Sequence, residues 1–314
     1  MEINEQVMDP RERMGFRLRS LYHGNGYHRY RMSKFEEYDL YSRNKDFLFS
    51  ESVITFTDTN GRLMALKPDV TLSIVKNTRD DGALRKLYYH ENVYRVSSAA
   101  DGFREQTQVG VECMGPVDTA CLGDVLKLAA ESLALISDRY ILEISHLDLL
   151  TAFVDAIAPD DEARRRILAC AGEKNLHGIR QVCAQAGIAP GASEPLEQLL
   201  SLYGEPKKVL PKIRALAEEY GCGDEARQLS QLAAMFAGTA AESRLWIDFS
   251  ATGDTKYYNG IAVKGFIDGV PDCVLSGGQY DALMRRMGRK DRAVGFAVFL
   301  DRLDRLTEGG GEDA

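Results

Sequence analysis

Apolar positions change their period along the chain, and the change marks three regions. Residues 10–23 set Met14, Leu18, Leu21 and Tyr22 at helical spacing, which predicts an amphipathic helix stopped by "GNGY". Short β-rich runs follow. "VITFTDTNGRLMALKP" has strand-like flanks around Asn60-Gly61, the preferred two-residue hairpin turn. "PDVTLSIVKNT" reads as a helix with Pro68 near its first turn. "LRKLYYHENVYRV" and "EQTQVGVECMG" form a longer hairpin across the small polar loop "SSAADGFR". A helix with Asp118 as N-cap and the strand "YILEISHL" complete the first region.

From about residue 149 to 240 the period becomes 3.6, in Ala/Leu/Glu/Arg-rich runs punctuated by Gly or Pro and without a fixed repeat. Strand texture returns in "RLWIDFSA", "KYYNGIAVKGFI" and "DCVLSGG", and "DRAVGFAVFLDRLDRL" reads as a closing helix. The expected layout is α+β. A core in two sequence segments, 1–148 and 241–314, carries an antiparallel sheet flanked by helices, with an all-helical insertion subdomain at 149–240.

Composition narrows the function classes. The chain has 314 residues and a formal charge of −8, against the basic excess that usually marks nucleic-acid binders. No apolar run approaches the roughly 18 residues of a membrane span, and the charged N-terminus has no signal-peptide core. Six scattered cysteines never form C-x-x-C and do not cluster with the five histidines, so reduced thiols, no metal and a cytoplasmic setting are expected.

Candidate chemistry sits in the β segments. Gln108, Gly110 and Glu112 share one strand face, where the glycine leaves room between an amide and a carboxylate. The alternative is an exposed sheet face. Asp69 and Thr71 in "LKPDVT" suit either a ligand or the positive end of a helix. Arg95 and Arg302 lie in or beside apolar segments and suit a carboxylate, a phosphate or an internal ion pair.

Taken in order, "LKPDVT", "YYHENVYRVSS…FREQTQVGVECMG", "GDTKYYNG", "SGGQYDALMRRMG" and "AVGFAVFLDRL" resemble the motifs of the histidyl-tRNA synthetase catalytic core, a class II synthetase fold. The resemblance spans the chain to residue 308. It implies a six-stranded antiparallel sheet and a homodimer. It also implies a histidine pocket in which Asp69, Thr71 and Gln108 take the α-amino group, Glu112 and Tyr258 meet the imidazole, and Tyr257 lines the cavity. Arg95 would face the α-phosphate or a ligand carboxylate.

The departures from the family pattern concentrate at the nucleotide. The family's catalytic arginine falls on Gly253, its adenine-reading glutamate on Ser97, and a motif 3 glycine on Phe299, with Asp301 in place of a nearby glutamate. Arg302 is retained, and the motif 1 proline falls on Ser33. No counterpart of the anticodon-binding domain follows motif 3. This combination resembles the regulatory subunits of ATP phosphoribosyltransferase. It implies no catalytic residue and no cofactor, with a vestigial nucleotide site at Arg95, Ser97, Phe299 and Arg302. The implied partners are L-histidine as effector and a short-form catalytic subunit in a hetero-octamer, with tRNA and membrane not expected. The other readings are a minimal enzyme that makes histidyl-adenylate for a non-tRNA acceptor, and a free-standing binding or interaction module with another partner.

Overall fold

The computed structural model describes residues 7–48, 52–98, 102–249, 257–304 and 306; for residues 97 and 98 only the backbone is described. Helix α1 (Pro10–Gly24) starts where the sequence places it. The Asp9 carboxylate accepts from the Glu12 N–H at 2.8 Å, the Glu12 carboxylate accepts from the Asp9 N–H at 3.2 Å, and Pro10 fills the first turn. Strands β1 (His28–Arg29), β2 (Phe35–Glu37), β3 (Thr55–Thr57) and β4 (Leu63–Leu66) follow, with the short helix α2 (Tyr38–Ser42) between β2 and β3. Gly61 turns the β3–β4 hairpin at φ +79°, a conformation that favours glycine. Helix α3 (Thr71–Asn77) leads into the long hairpin of β5 (Arg85–Ser98) and β6 (Gly102–Gly115).

Helix α4 (Thr119–Ile136) is capped by the Asp118 side chain, which accepts from Cys121 N–H at 2.8 Å. After β7 (Tyr140–His146) come six helices: α5 (Leu147–Ile157), α6 (Asp161–Gly172), α7 (Leu176–Gln185), α8 (Glu194–Ser201), α9 (Pro206–Glu219) and α10 (Gly223–Ala234). The chain then returns through β8 (Leu245–Ile247), β9 (Asn259–Ile267), β10 (Leu275–Gln279), α11 (Asp281–Arg286) and β11 (Arg292–Phe299).

Eight strands form the main sheet in the order β1-β5-β6-β11-β10-β9-β7-β8; β2, β4 and β3 form a small second sheet. The six inner strands of the main sheet pair antiparallel, as the hairpins imply. Its two edges correct the expectation of a purely antiparallel sheet. β1 pairs β5 and β8 pairs β7 in parallel, because the segment from β2 to α3 and the helices after β7 return the chain in the same direction. A second correction concerns "DRAVGFAVFLDRLDRL". Its apolar run is strand β11, inserted between β6 and β10 and buried on both faces, and helical structure begins only at Leu300, with the 3-10 turn Leu300–Leu303. A strand covered on both sides reads as a continuous apolar run, which periodicity alone does not separate from a buried helix.

The large hydrophobic cluster lies on one side of the sheet. Val109, Val111 and Cys113 of β6 join Leu18 and Tyr22 of α1 and Leu122, Leu126 and Leu133 of α4. Each such fully buried aliphatic side chain contributes roughly 1.5–3 kcal/mol. The same cluster continues through Ile167, Leu196, Ile213 and Leu229, so residues 149–240 pack onto the sheet. A smaller cluster, with Tyr41, Val70, Tyr89, Tyr257 and Tyr280, lies on the opposite face, beside the cavity described next.

Candidate ligand cavity

Pairing register gives the opposite face its shape. One row across the sheet runs Glu112, Gly295, Gly278, Ala262; the next runs Gly110, Ala297, Ser276, Lys264; a third pairs Gln108 with Phe299. Side chains therefore grow from glycine to phenylalanine along the cavity floor. A Cβ on Gly295 would lie 1.9 Å from Glu112 Oε2, and one on Gly278 would lie 3.1 Å from the Tyr258 ring. Gly295 is thus required for Glu112 to lie where it does, and Gly278 leaves room for the Tyr258 ring. Asp69, Thr71, Arg95, Gln108, Glu112, Tyr257, Tyr258, Phe299 and Arg302 all line one cavity of about 550 Å³. Gln108 and Glu112 are 3% and 2% exposed, which removes the reading of a solvent-facing sheet surface.

Glu112 is held from two sides. Thr71 Oγ1 donates to Oε1 at 2.7 Å, and the Tyr280 hydroxyl donates to Oε2 at 2.6 Å. Burial raises its pKa from 4.5 to about 7; the two hydroxyl donors oppose the rise and the nearby Asp69 adds to it. Asp69 itself is pushed up by burial, against Arg95 and the backbone N–H groups of Leu72 and Thr71. Its Oδ1 accepts from Leu72 N–H at 2.9 Å, so the helix-start role suggested by the sequence is realised while the same carboxyl faces the cavity. The Arg95 guanidinium lies 3.5 Å from Asp69 and its Nε donates to the Pro68 carbonyl at 2.7 Å. This is the internal ion pair, although Arg95 still lines the cavity.

Tyr257 and Tyr258 meet edge to face at 4.8 Å between ring centroids, and Tyr257 and Tyr280 lie 6.3 Å apart. The buried Gln108 amide nitrogen has no hydrogen-bond partner among the described residues. A buried donor left open in this way costs free energy until an acceptor arrives.

At the far end two lining side chains pack on each other. The Arg302 guanidinium lies over the Phe299 ring, 4.2 Å from its centroid, and donates to the Cys273 carbonyl. Asp301 accepts from Thr107 N–H at 2.5 Å and pairs with Arg11 at 2.9 Å, a tie between β6 and α1. Ser97 lies on β5, with its side chain outside the described residues, and Gly253 falls outside them altogether.

Tyr280 is the residue that sequence reading missed. It sits inside the quoted "SGGQYDAL", and the signal available was a polar aromatic directly after a Gly-Gly strand. No group of three or more His, Cys, Asp or Glu side chains able to hold a metal occurs among the described residues, and no described helix is long and apolar enough to cross a membrane. All six cysteines are free thiols.

The family model described as histidyl-tRNA synthetase matches residues 2–303. The chain belongs to that family. An "ATP phosphoribosyltransferase regulatory subunit" of Alkaliphilus metalliredigens is 27% identical over 274 residues, covering 85% of this chain and 69% of the relative. Two solved structures share the fold of this histidyl-tRNA synthetase family member. An ATP phosphoribosyltransferase regulatory subunit/histidyl-tRNA synthetase from Bacillus halodurans superposes with TM-score 0.82 at 21% identity, over 98% of this chain and 83% of that one. A chain of the ATP phosphoribosyl transferase (HisG:HisZ) complex from Thermotoga maritima gives 0.69 at 16% identity, over 95% and 97%.

Proposed function

We propose that this chain is a non-catalytic regulatory subunit that binds L-histidine and assembles with a short-form ATP phosphoribosyltransferase catalytic subunit. In that role it activates the catalytic subunit and supports feedback control at the first step of histidine biosynthesis. The names of the relatives and the Thermotoga maritima complex support the regulatory role and the partner. Glu112 is the observation that carries the ligand. A buried carboxyl, oriented by Thr71 and Tyr280 at the deep end of a cavity walled by tyrosines, suits an imidazole N–H or an imidazolium. Asp69 with Gln108 and Thr71 is the proposed seat of the α-amino group. The proposed setting is the cytoplasm, with a homodimer built through the core and a hetero-octamer with the catalytic subunit.

Feedback then has a simple form. A ligand bound unequally by two states of an assembly shifts their populations. Absence of turnover is proposed because a cation that acts on the transition state is replaced at Gly253, and because Phe299 covers the Arg302 face. Retention of Arg95 and Arg302 in the cavity is what favours the enzyme reading. Two assays decide. ATP–pyrophosphate exchange in the presence of histidine is expected to be absent, and measurable exchange would favour the adenylate-forming enzyme. Co-sedimentation with a short-form catalytic subunit, with a rise in its activity, is expected; no association would overturn the regulatory assignment.

A further inference from the structure

Strands β9 and β10 pair in a register that breaks once. Gly277 pairs with Val263 and Gly278 with Ala262, but Gln279 pairs with Asn259, which leaves Gly260 and Ile261 unpaired on β10. The break moves the start of β9. Carried back to Tyr258, the unbroken register points to Ala282, whereas the broken one points to Tyr280, two residues or roughly 7 Å along the strand. The shift sets Tyr258 against Gly278 on the cavity floor, where a Cβ would lie 3.1 Å from the Tyr258 ring. It also brings Tyr258 level with Tyr280, whose hydroxyl donates to Glu112.

A side chain supplies the ladder bond that the break removes. Gln279 Oε1 accepts from the Ile261 N–H at 2.8 Å, inside the bulge. Gly260 takes φ +61°, where glycine is favoured, and a Cβ there would lie 2.3 Å from the same Oε1. The bulge therefore needs glycine at 260 and an acceptor at 279. Next to it, Asn259 Oδ1 accepts from the Ala282 N–H at 3.0 Å, which ties the start of β9 to α11. Gln279 is 1% exposed, and its Nε2 has no hydrogen-bond partner among the described residues. A buried amide with its donor left open costs free energy, so an apolar side chain would suit this position better if stability were the only demand.

We infer that Gln279 is a positioning residue for ligand binding, which closes the β9 bulge and so holds Tyr258 against the cavity floor. Gln279 pairs with Val294 of β11, whose side chain belongs to the large hydrophobic cluster, so it points away from the cavity and does not line it. It acts through the β9 backbone, from the face of the sheet opposite the ligand. The second shell of a site fixes the side chains that meet the ligand, and a wall displaced by one register step would no longer meet it. The ligand named for this role, L-histidine, rests on the proposed function.

The test titrates the full chain with L-histidine by calorimetry, with folding of every variant checked by circular dichroism. Gln279→Leu keeps the bulk and loses the acceptor, and is expected to weaken histidine binding about tenfold. Gln279→Glu keeps an acceptor oxygen, and is expected to return the affinity to within about threefold of wild type. In a Tyr258→Ala background, Gln279→Leu is expected to change the affinity by less than about twofold, because the side chain it positions is gone. If Gln279→Leu does not fold, Gly260→Ala breaks the same bulge from the other strand and takes its place in the cycle. Wild type that binds no histidine overturns the proposed ligand and this role with it. Wild type that binds, with Gln279→Leu binding equally well, overturns the positioning role alone. A loss that persists in full without Tyr258, or that Gln279→Glu does not restore, also overturns it.

Discussion

At the Glu112 end of the cavity the sheet supplies glycines, and acids and phenols fixed by hydrogen bonds stand over them. At the Phe299 end the same sheet supplies a large aromatic ring, and Arg302 lies over that ring. The two ends are two register rows apart on β6 and β11. The difference teaches that a strand pair can give the two ends of one cavity different shapes by changing side-chain size along one face. Two kinds of change can be told apart. Crowding removes a ligand's space, whereas replacing a cation removes transition-state stabilisation without emptying the pocket.

Removing the polar anchor should break the contrast most strongly. Glu112→Ala is expected to weaken histidine binding by about 1.5–3 kcal/mol, the range for a hydrogen bond to a charged group. A dissociation constant equal to wild type would mean that the deep end is not the imidazole seat. Next in size is Gly295→Ala. Its Cβ would meet Glu112 Oε2 at 1.9 Å and the Val111 carbonyl at 2.5 Å, so overpacking should cost about 1–3 kcal/mol in urea unfolding. An unchanged midpoint would show that the floor yields and that glycine is not what shapes the pocket.

The third prediction concerns pH. Glu112 has a folded pKa of about 7 against an ordinary 4.5, so the folded state holds this proton more tightly. Its contribution to stability is present below about pH 4.5 and is lost as pH rises towards 7. Glu112→Gln should flatten that part of the stability–pH curve, read by chemical denaturation at several pH values. A wild-type curve already flat there would show that the carboxyl is not desolvated. The smallest effect on histidine should come from the far end. Phe299→Ala, beside Gln108 and away from Glu112, is expected to weaken histidine binding less than Glu112→Ala does. The same variant should allow calorimetrically detectable ATP binding at the uncovered Arg302 face, and a large loss of histidine binding would show that the two ends are one site.

Much of this arrangement was legible in the sequence because it is local. The Asp118 cap, the Asn60-Gly61 turn and the alternation on β6 depend on residues a few positions apart. What the residues alone left open depends on partners far along the chain. Arg95 turns to Asp69, Thr71 donates to Glu112, and Tyr280 completes that carboxyl from 168 positions away. Nothing in the local pattern of "AVGFAVFL" distinguishes a strand between two others from a buried helix, so β11 was misread. The parallel edges were missed because β1 and β8 are only two and three residues long.

The most direct test of the central claim is a calorimetric titration of the purified chain with L-histidine, run without and with ATP. The account predicts saturable histidine binding whose affinity does not depend on ATP. Cooperative binding of histidine and ATP, or no histidine binding at all, would contradict it.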